Sequence, residues 1–245
     1  MALTPIAGVT IDGSSLGQPQ GDQYEAEVNG TFSTIRLNRV GALLVQEFNR
    51  GLKIQPYTGT DLNATSAAQN RPAAEVNGRL SYRCDTGMPR MDPLGNQFRG
   101  SGGGSDSIIS FTPDQWLTSG VADSQHKAIL AAARRDEVLF HEMVHSVRQM
   151  AGVLNCSIAA PGFDTKEEMW SVMTTNIYCS AWNRPLRRDH HGHVTMTAEE
   201  ITTFYSRFEA MITFMCTDLP RFTRAVAAID WIPFNPFREY YRLHP

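Results

Sequence analysis

Two histidines four residues apart, with a glutamate after the first, stand in "DEVLFHEMVHSVRQMAG" (136–152): His141, Glu142 and His145. Residues at this spacing share one face of a helix, so both imidazoles can reach a single metal ion about 2 Å from each nitrogen. Glu142 then sits beside the ion without ligating it. In this H-E-x-x-H arrangement a zinc ion acidifies a water molecule, and the glutamate takes its proton as the water attacks a peptide carbonyl. Val138, Leu139, Met143, Val144, Val147 and Met150 flank the motif. An active-site floor needs such apolar neighbours, but a core helix that merely carries two histidines would show them too.

A catalytic zinc takes three protein ligands and keeps one position open. The pattern H-E-x-x-H-x-x-G-x-x-H fails here, because position 148 is Arg and position 151 is Ala. A second helix is predicted over "DTKEEMWSVMTTNIYCSAW" (164–182), with Asp164 or Thr165 as N-cap and glutamates in its first turn. It offers Glu167 and Glu168. Glu168, 23 residues beyond His145, is preferred because Ser171, three positions on, is small enough to let the two helices approach. Glu167 is followed at that spacing by Trp170, and a glutamate that does not ligate would complement the helix dipole. Asp164 is a more distant candidate.

The segment "RPLRRDHHGH" (184–193) gathers Arg187, Arg188, His190, His191 and His193. An arginine or a protonated histidine can stabilise the oxyanion formed at a scissile carbonyl, and Arg187 and His190 are the candidates for that role. A solvated loop, or a second metal site, would use the same residues. Tyr178, almost three turns after Glu168, and Tyr205 read as packing residues.

These groups need elements to hold them. Residues 1 to 35 suggest loops and short strands, "VGALLVQEFNRG" (40–51) a short helix, and "LKIQPYTG" a strand. A polar surface loop is expected from Thr60 to Glu75, and a strand at "RLSYRC" (79–84). The glycine-rich "GSGGGS" reads as a flexible surface loop or as a flap near the substrate. "DSIISF" after it reads as the edge strand along which an extended substrate could pair. From Ser124 the patterns turn helical, as two helices or one kinked helix ending at Gly152. A long helix opened by Thr197, a shorter one over "PRFTRAVAAI" and an irregular aromatic strap at the C-terminus follow. The division is a β- and loop-rich part over about 1–123 and a helical part over about 124–245, within one domain of α+β class.

Composition narrows the partners. Of 245 residues, 42% are hydrophobic and 19% charged, and the net charge of −3 gives no basic footprint for nucleic acid. Nothing resembles a Sec-type signal peptide, and no apolar run is long enough to span a membrane. The four cysteines, Cys84, Cys156, Cys179 and Cys216, contain no C-x-x-C pair and read as reduced thiols.

At "HEMVHSVRQMAG", "EEMWSVMTTNIY" and "NRPLRRDHHG", within roughly residues 100 to 195, the sequence resembles bacterial metallopeptidases related to the NleD-type secreted effector proteases. The resemblance implies a zincin-like fold, with a small twisted sheet over the active-site helix. It also implies a zinc endopeptidase delivered into another cell to cut a few host proteins. In that family, one member of a glutamate pair after the H-E-x-x-H helix ligates zinc, which supports Glu168, the second of the pair here. The separation between the pair and "RPLR" is shorter than in the family, so the chain reads as a divergent branch and its substrate is not inferred. The competing expectation is a zinc-binding interaction protein without turnover.

Overall fold

The computed structural model describes residues 7–57, the backbone of 68–72, and residues 103–113, 131–157, 162–190 and 193–245. Within these, the α+β class is observed. Four short strands, β1 (Val9–Ile11), β2 (Leu52–Gln55), β3 (Ala68–Pro72) and β4 (Ser107–Phe111), lie in the order β1-β2-β4-β3. The pairs β1–β2 and β2–β4 are parallel, while β3 runs antiparallel to β4. A parallel pair requires a crossover, and two helices, α1 (Gln20–Leu37) and α2 (Arg39–Val45), make the one between β1 and β2. Leu52 and Ile54 on β2, and Ser107, Ile109 and Phe111 on β4, turn to the buried side in strict alternation.

Helix α3 (Arg135–Ala151) packs between β3 and β4 on one side and α4 (Lys166–Ala181) on the other. Every side chain of α3 from Asp136 to Met150 is buried. A long helix α5 (Ala198–Asp218) and two short ones, α6 (Pro220–Ala227) and α7 (Pro236–Leu243), complete the C-terminal part. The predicted caps are found. Gly152 ends α3 at φ +70°, Thr165 accepts from the Glu168 amide, and Thr197 forms a reciprocal capping box with Glu200.

Several expectations are corrected. Residues 20–37 are one helix, not loops and strands, because Tyr24, Val28, Phe32 and Ile35 recur at helical spacing and bury one face; the intervening Gly, Asn, Ser and Thr disguise that stripe. Part of the expected 60–75 loop is β3, whose backbone pairs with β4. "DSIISF" is therefore an inner strand rather than the edge, and among the described residues β3 lies at the end of the sheet. The aromatic tail is not wholly irregular: Asn235 caps α7, Pro236 fits its first position, and Phe237 is fully buried. Of the glycine-rich run, residues 103–105 are described, and two of them pack on the end of α3. Gly104 sits at φ +63° against the end of α3, where a Cβ would fall 2.0 Å from the Met150 carbonyl, and Ser105 donates to the Gln149 carbonyl at 3.2 Å. Cys179 and Cys216 are buried free thiols, but Cys156 is in a disulfide, against the expectation of four reduced cysteines. Cys84, "RLSYRC" and residues 124–130 lie outside the described residues.

A helix buried on all sides must satisfy its own polar groups internally. Ser107 Oγ on β4 lies 3.0 Å from Ser146 Oγ and 2.8 Å from Gln149 Oε1, joining sheet to helix. At the start of α3, Arg184 donates to Asp136 (2.6 Å) and Glu137 (3.1 Å), and Tyr178 donates to Asp136 (2.6 Å). At its end, fully buried Arg148 donates to Glu167 (2.6 Å), Asp218 (3.1 Å) and the Val153 carbonyl (2.9 Å), and lies flat over Trp170, 3.9 Å from the ring centroid. Removing one partner of a buried ion pair strands the other charge, at a cost of about 3–5 kcal/mol, whereas apolar replacement of both can be near neutral. Arg148→Ala is thus expected to lower unfolding free energy in a denaturant titration by about 3–5 kcal/mol. The Arg148→Met/Glu167→Met double variant should lose clearly less, and an equal or greater loss would contradict this account of the pair.

Candidate metal centre

The antiparallel packing of α3 on α4 brings three ligand atoms together. His141 Nε2 lies 3.0 Å from Glu168 Oε2 and 3.2 Å from His145 Nε2, and His145 Nε2 lies 3.4 Å from Glu168 Oε2. Ligands bound about 2.0–2.1 Å from a tetrahedral ion stand about 3.3 Å apart, so this set has the spacing of one face of such a site. Among the described residues these three form a group that could hold a metal ion. Two nitrogens and one carboxylate oxygen suit zinc among several divalent ions.

Successive residues on a helix point about 100° apart, and the two adjacent glutamates divide accordingly. Glu167, fully buried, accepts from Arg148 and from the Asn155 amide at 2.9 Å, while Glu168 faces the histidines. Ser171 proves more than a small residue. Its Oγ lies 3.1 Å from His145 Nδ1, which fixes the ring with Nε2 toward the other ligands.

Electrostatics follow from this burial. Burial opposes a charge on His145, but the Glu168 carboxylate beside it prevails and holds its pKa well above the usual value. Burial would likewise raise Glu168, yet the charge on His145 and hydrogen bonds from both histidines keep it well below the carboxylate range. Burial pulls His141 down to about 3 and lifts Glu142 to about 7, the latter against the attraction of His145.

Behind the ligands, residues 186–190 and 193–196 come together through backbone bonds from Arg188 to Val194 and from Met196 to Leu186, both 2.8 Å, and form an arm. His190 Nδ1 donates to Asp164 Oδ2 at 2.7 Å, and its Nε2 stands 3.1 Å from Glu168 Oε2. Its ring lies nearly parallel to that of His141, with centroids 6.0 Å apart. Arg187 is 8% exposed, donates from Nη2 to the His190 carbonyl, and has a buried Nε with no hydrogen-bond partner among the described residues. Its charge acts on both Glu142 and Glu168. His193 turns away to the Ala131 carbonyl (2.9 Å), and His191 lies outside the described residues. Tyr178 stacks on Phe140 in the core and Tyr205 packs at its margin, as expected of packing residues.

Two groups have roles without a signal in the sequence. Asp164, a distant candidate ligand by sequence, pairs with His190, 26 residues away, and that pairing has no local signal. Asn176, fully buried on α4, donates to the Arg187 carbonyl and accepts from the Arg187 amide, both at 2.7 Å. Nothing in "VMTTNIY" marks it for that task.

Metal analysis of variants tests the assignment. Glu168→Ala and His141→Ala should each abolish stoichiometric metal, while Glu167→Gln should retain it despite lower stability. Ser171→Ala should weaken metal binding about 10- to 100-fold. Metal loss in Glu167→Gln with retention in Glu168→Ala would reverse the roles of the pair. No family model, no curated protein and no solved structure matches the chain.

Proposed function

We propose that the chain is a zinc-dependent metalloendopeptidase of zincin-like fold, a divergent relative of the NleD-type effector proteases. The observation that carries this reading is the spacing of His141, His145 and Glu168, with Glu142 next to His141 on the same helix. Zinc bound there would supply the Lewis acidity that lowers the pKa of water toward neutrality.

The chain's own residues have separable tasks. Glu142 is buried in the motif and accepts the proton of the attacking water, then passes it to the amide nitrogen as the peptide bond breaks. His190, oriented by Asp164, and Arg187, held by the arm, stand on the same side as Glu168 and donate toward the developing oxyanion. Backbone pairing of an extended protein or peptide substrate falls to β3, which among the described residues ends the sheet and packs on α3. Among the described residues no helix is long and apolar enough to cross a membrane. Action on target-cell proteins after export remains part of this reading through the motifs alone.

Glu142→Gln should keep one zinc per chain while hydrolysis of a proteome-derived peptide library falls by about 10²–10⁴. His190→Ala should also keep zinc and lower kcat by about 10²–10³, with little change in KM. Undiminished cleavage by the zinc-loaded Glu142→Gln protein would sink the mechanism. A wild type that binds zinc and cleaves nothing would leave a zinc-binding interaction protein instead.

A further inference from the structure

Helices α6 and α7 pack against each other and leave an open cleft of about 420 Å³. Ala227, Ala228, Tyr241 and the final residue, Pro245, line it together with Arg224, Arg238 and Arg242. Among the described residues no aspartate or glutamate lines it. The arginines are differently engaged. Arg242 pairs with Glu239 at 3.1 Å. Arg224 lies over the Tyr241 ring, 4.8 Å from its centroid, and the Tyr241 hydroxyl is itself fixed 2.9 Å from Thr223 Oγ1. Arg238 donates from Nη1 to the Asp230 carbonyl at 2.7 Å. Neither Arg224 nor Arg238 has a carboxylate partner among the described residues. Two guanidinium groups thus stand at the cleft without a side-chain carboxylate partner among the described residues.

The guanidinium fork matches both carboxylate and phosphate oxygens. Two guanidinium charges without a side-chain carboxylate partner match the roughly 1.5–2 negative charges of a phosphate monoester near neutral pH better than the single charge of a carboxylate. The alanines and the aromatic ring provide an apolar surface for an organic group, and the volume falls within the roughly 300–1,000 Å³ of small-molecule sites. We propose that the cleft between α6 and α7 binds a phosphate monoester carrying an apolar group. Arg224 and Arg238 hold the phosphate, and Ala227, Ala228 and Tyr241 contact the organic part. The site shares no residue with the metal centre and does not depend on the peptidase reading.

Phenyl phosphate is the probe, titrated calorimetrically into the full chain. One saturable site is expected, weakened about tenfold or more in Arg224→Ala/Arg238→Ala. Affinity should be unchanged in Arg221→Ala, whose guanidinium is paired with Glu47 at 3.0 Å. Arg224→Lys/Arg238→Lys, which keeps charge but loses the fork, should bind with intermediate affinity and serves if the alanine variant does not fold. Sedimentation with phosphatidic acid vesicles, competed by phenyl phosphate, would identify the ester as a lipid headgroup. Saturable binding without sedimentation would identify a soluble ester, and both results uphold the site. Absence of saturable binding, unchanged affinity in both arginine double variants, or inorganic phosphate binding as tightly as phenyl phosphate would overturn it.

Discussion

The buried pair of Arg148 and Glu167 fixes how α4 lies on α3, and the rest of the centre depends on that contact. A guanidinium with no exposed surface must find acceptors in the protein, and Glu167, Asp218 and the Val153 carbonyl supply them from three segments. Once Glu167 is committed to Arg148, the turn of the helix aims Glu168 at His141 and His145. The same arginine explains a sequence feature that first counted only as an exclusion. Position 148 is where a different zinc-binding pattern would carry glycine, and here it holds the side chain that orients the glutamate helix.

The centre also shows how a polar site can sit in a close-packed interior. Helix α3 has no solvent-facing side on which to place Asp136, Glu137, Ser146, Arg148 and Gln149, and each is answered by a named partner. The ligand triad is the exception. Its three atoms meet one another at 3.0–3.4 Å, a cluster that could hold a metal ion.

The sequence made legible those features that depend on spacing within one element. The histidine pair, the glutamate on the next helix, the Thr165 and Thr197 caps and the Gly152 stop all lie within a turn or two of the signal that reveals them. Features made by contact between distant segments stayed hidden. Asp164 and His190, Asn176 and Arg187, and the disulfide at Cys156 are matters of tertiary approach. β3 was missed because "AQNRP" has no apolar alternation; its strand character comes from backbone pairing with β4. α1 was missed for a different reason: its stripe is regular, but residues that favour turns lie between the apolar positions.

Asn176 gives the centre a mechanical division. Its amide grips both backbone groups of Arg187, so the arm with Arg187 and His190 is carried by α4 as firmly as a neighbouring strand is carried by a sheet. One rigid piece then bears Glu168, Arg187 and His190, and the other, α3, bears His141, Glu142 and His145. The two pieces meet along the contact between α3 and α4, with the candidate ligands on either side of it. Two clamps hold that contact, Arg148 with Glu167 at one end and Asp136 with Tyr178 and Arg184 at the other.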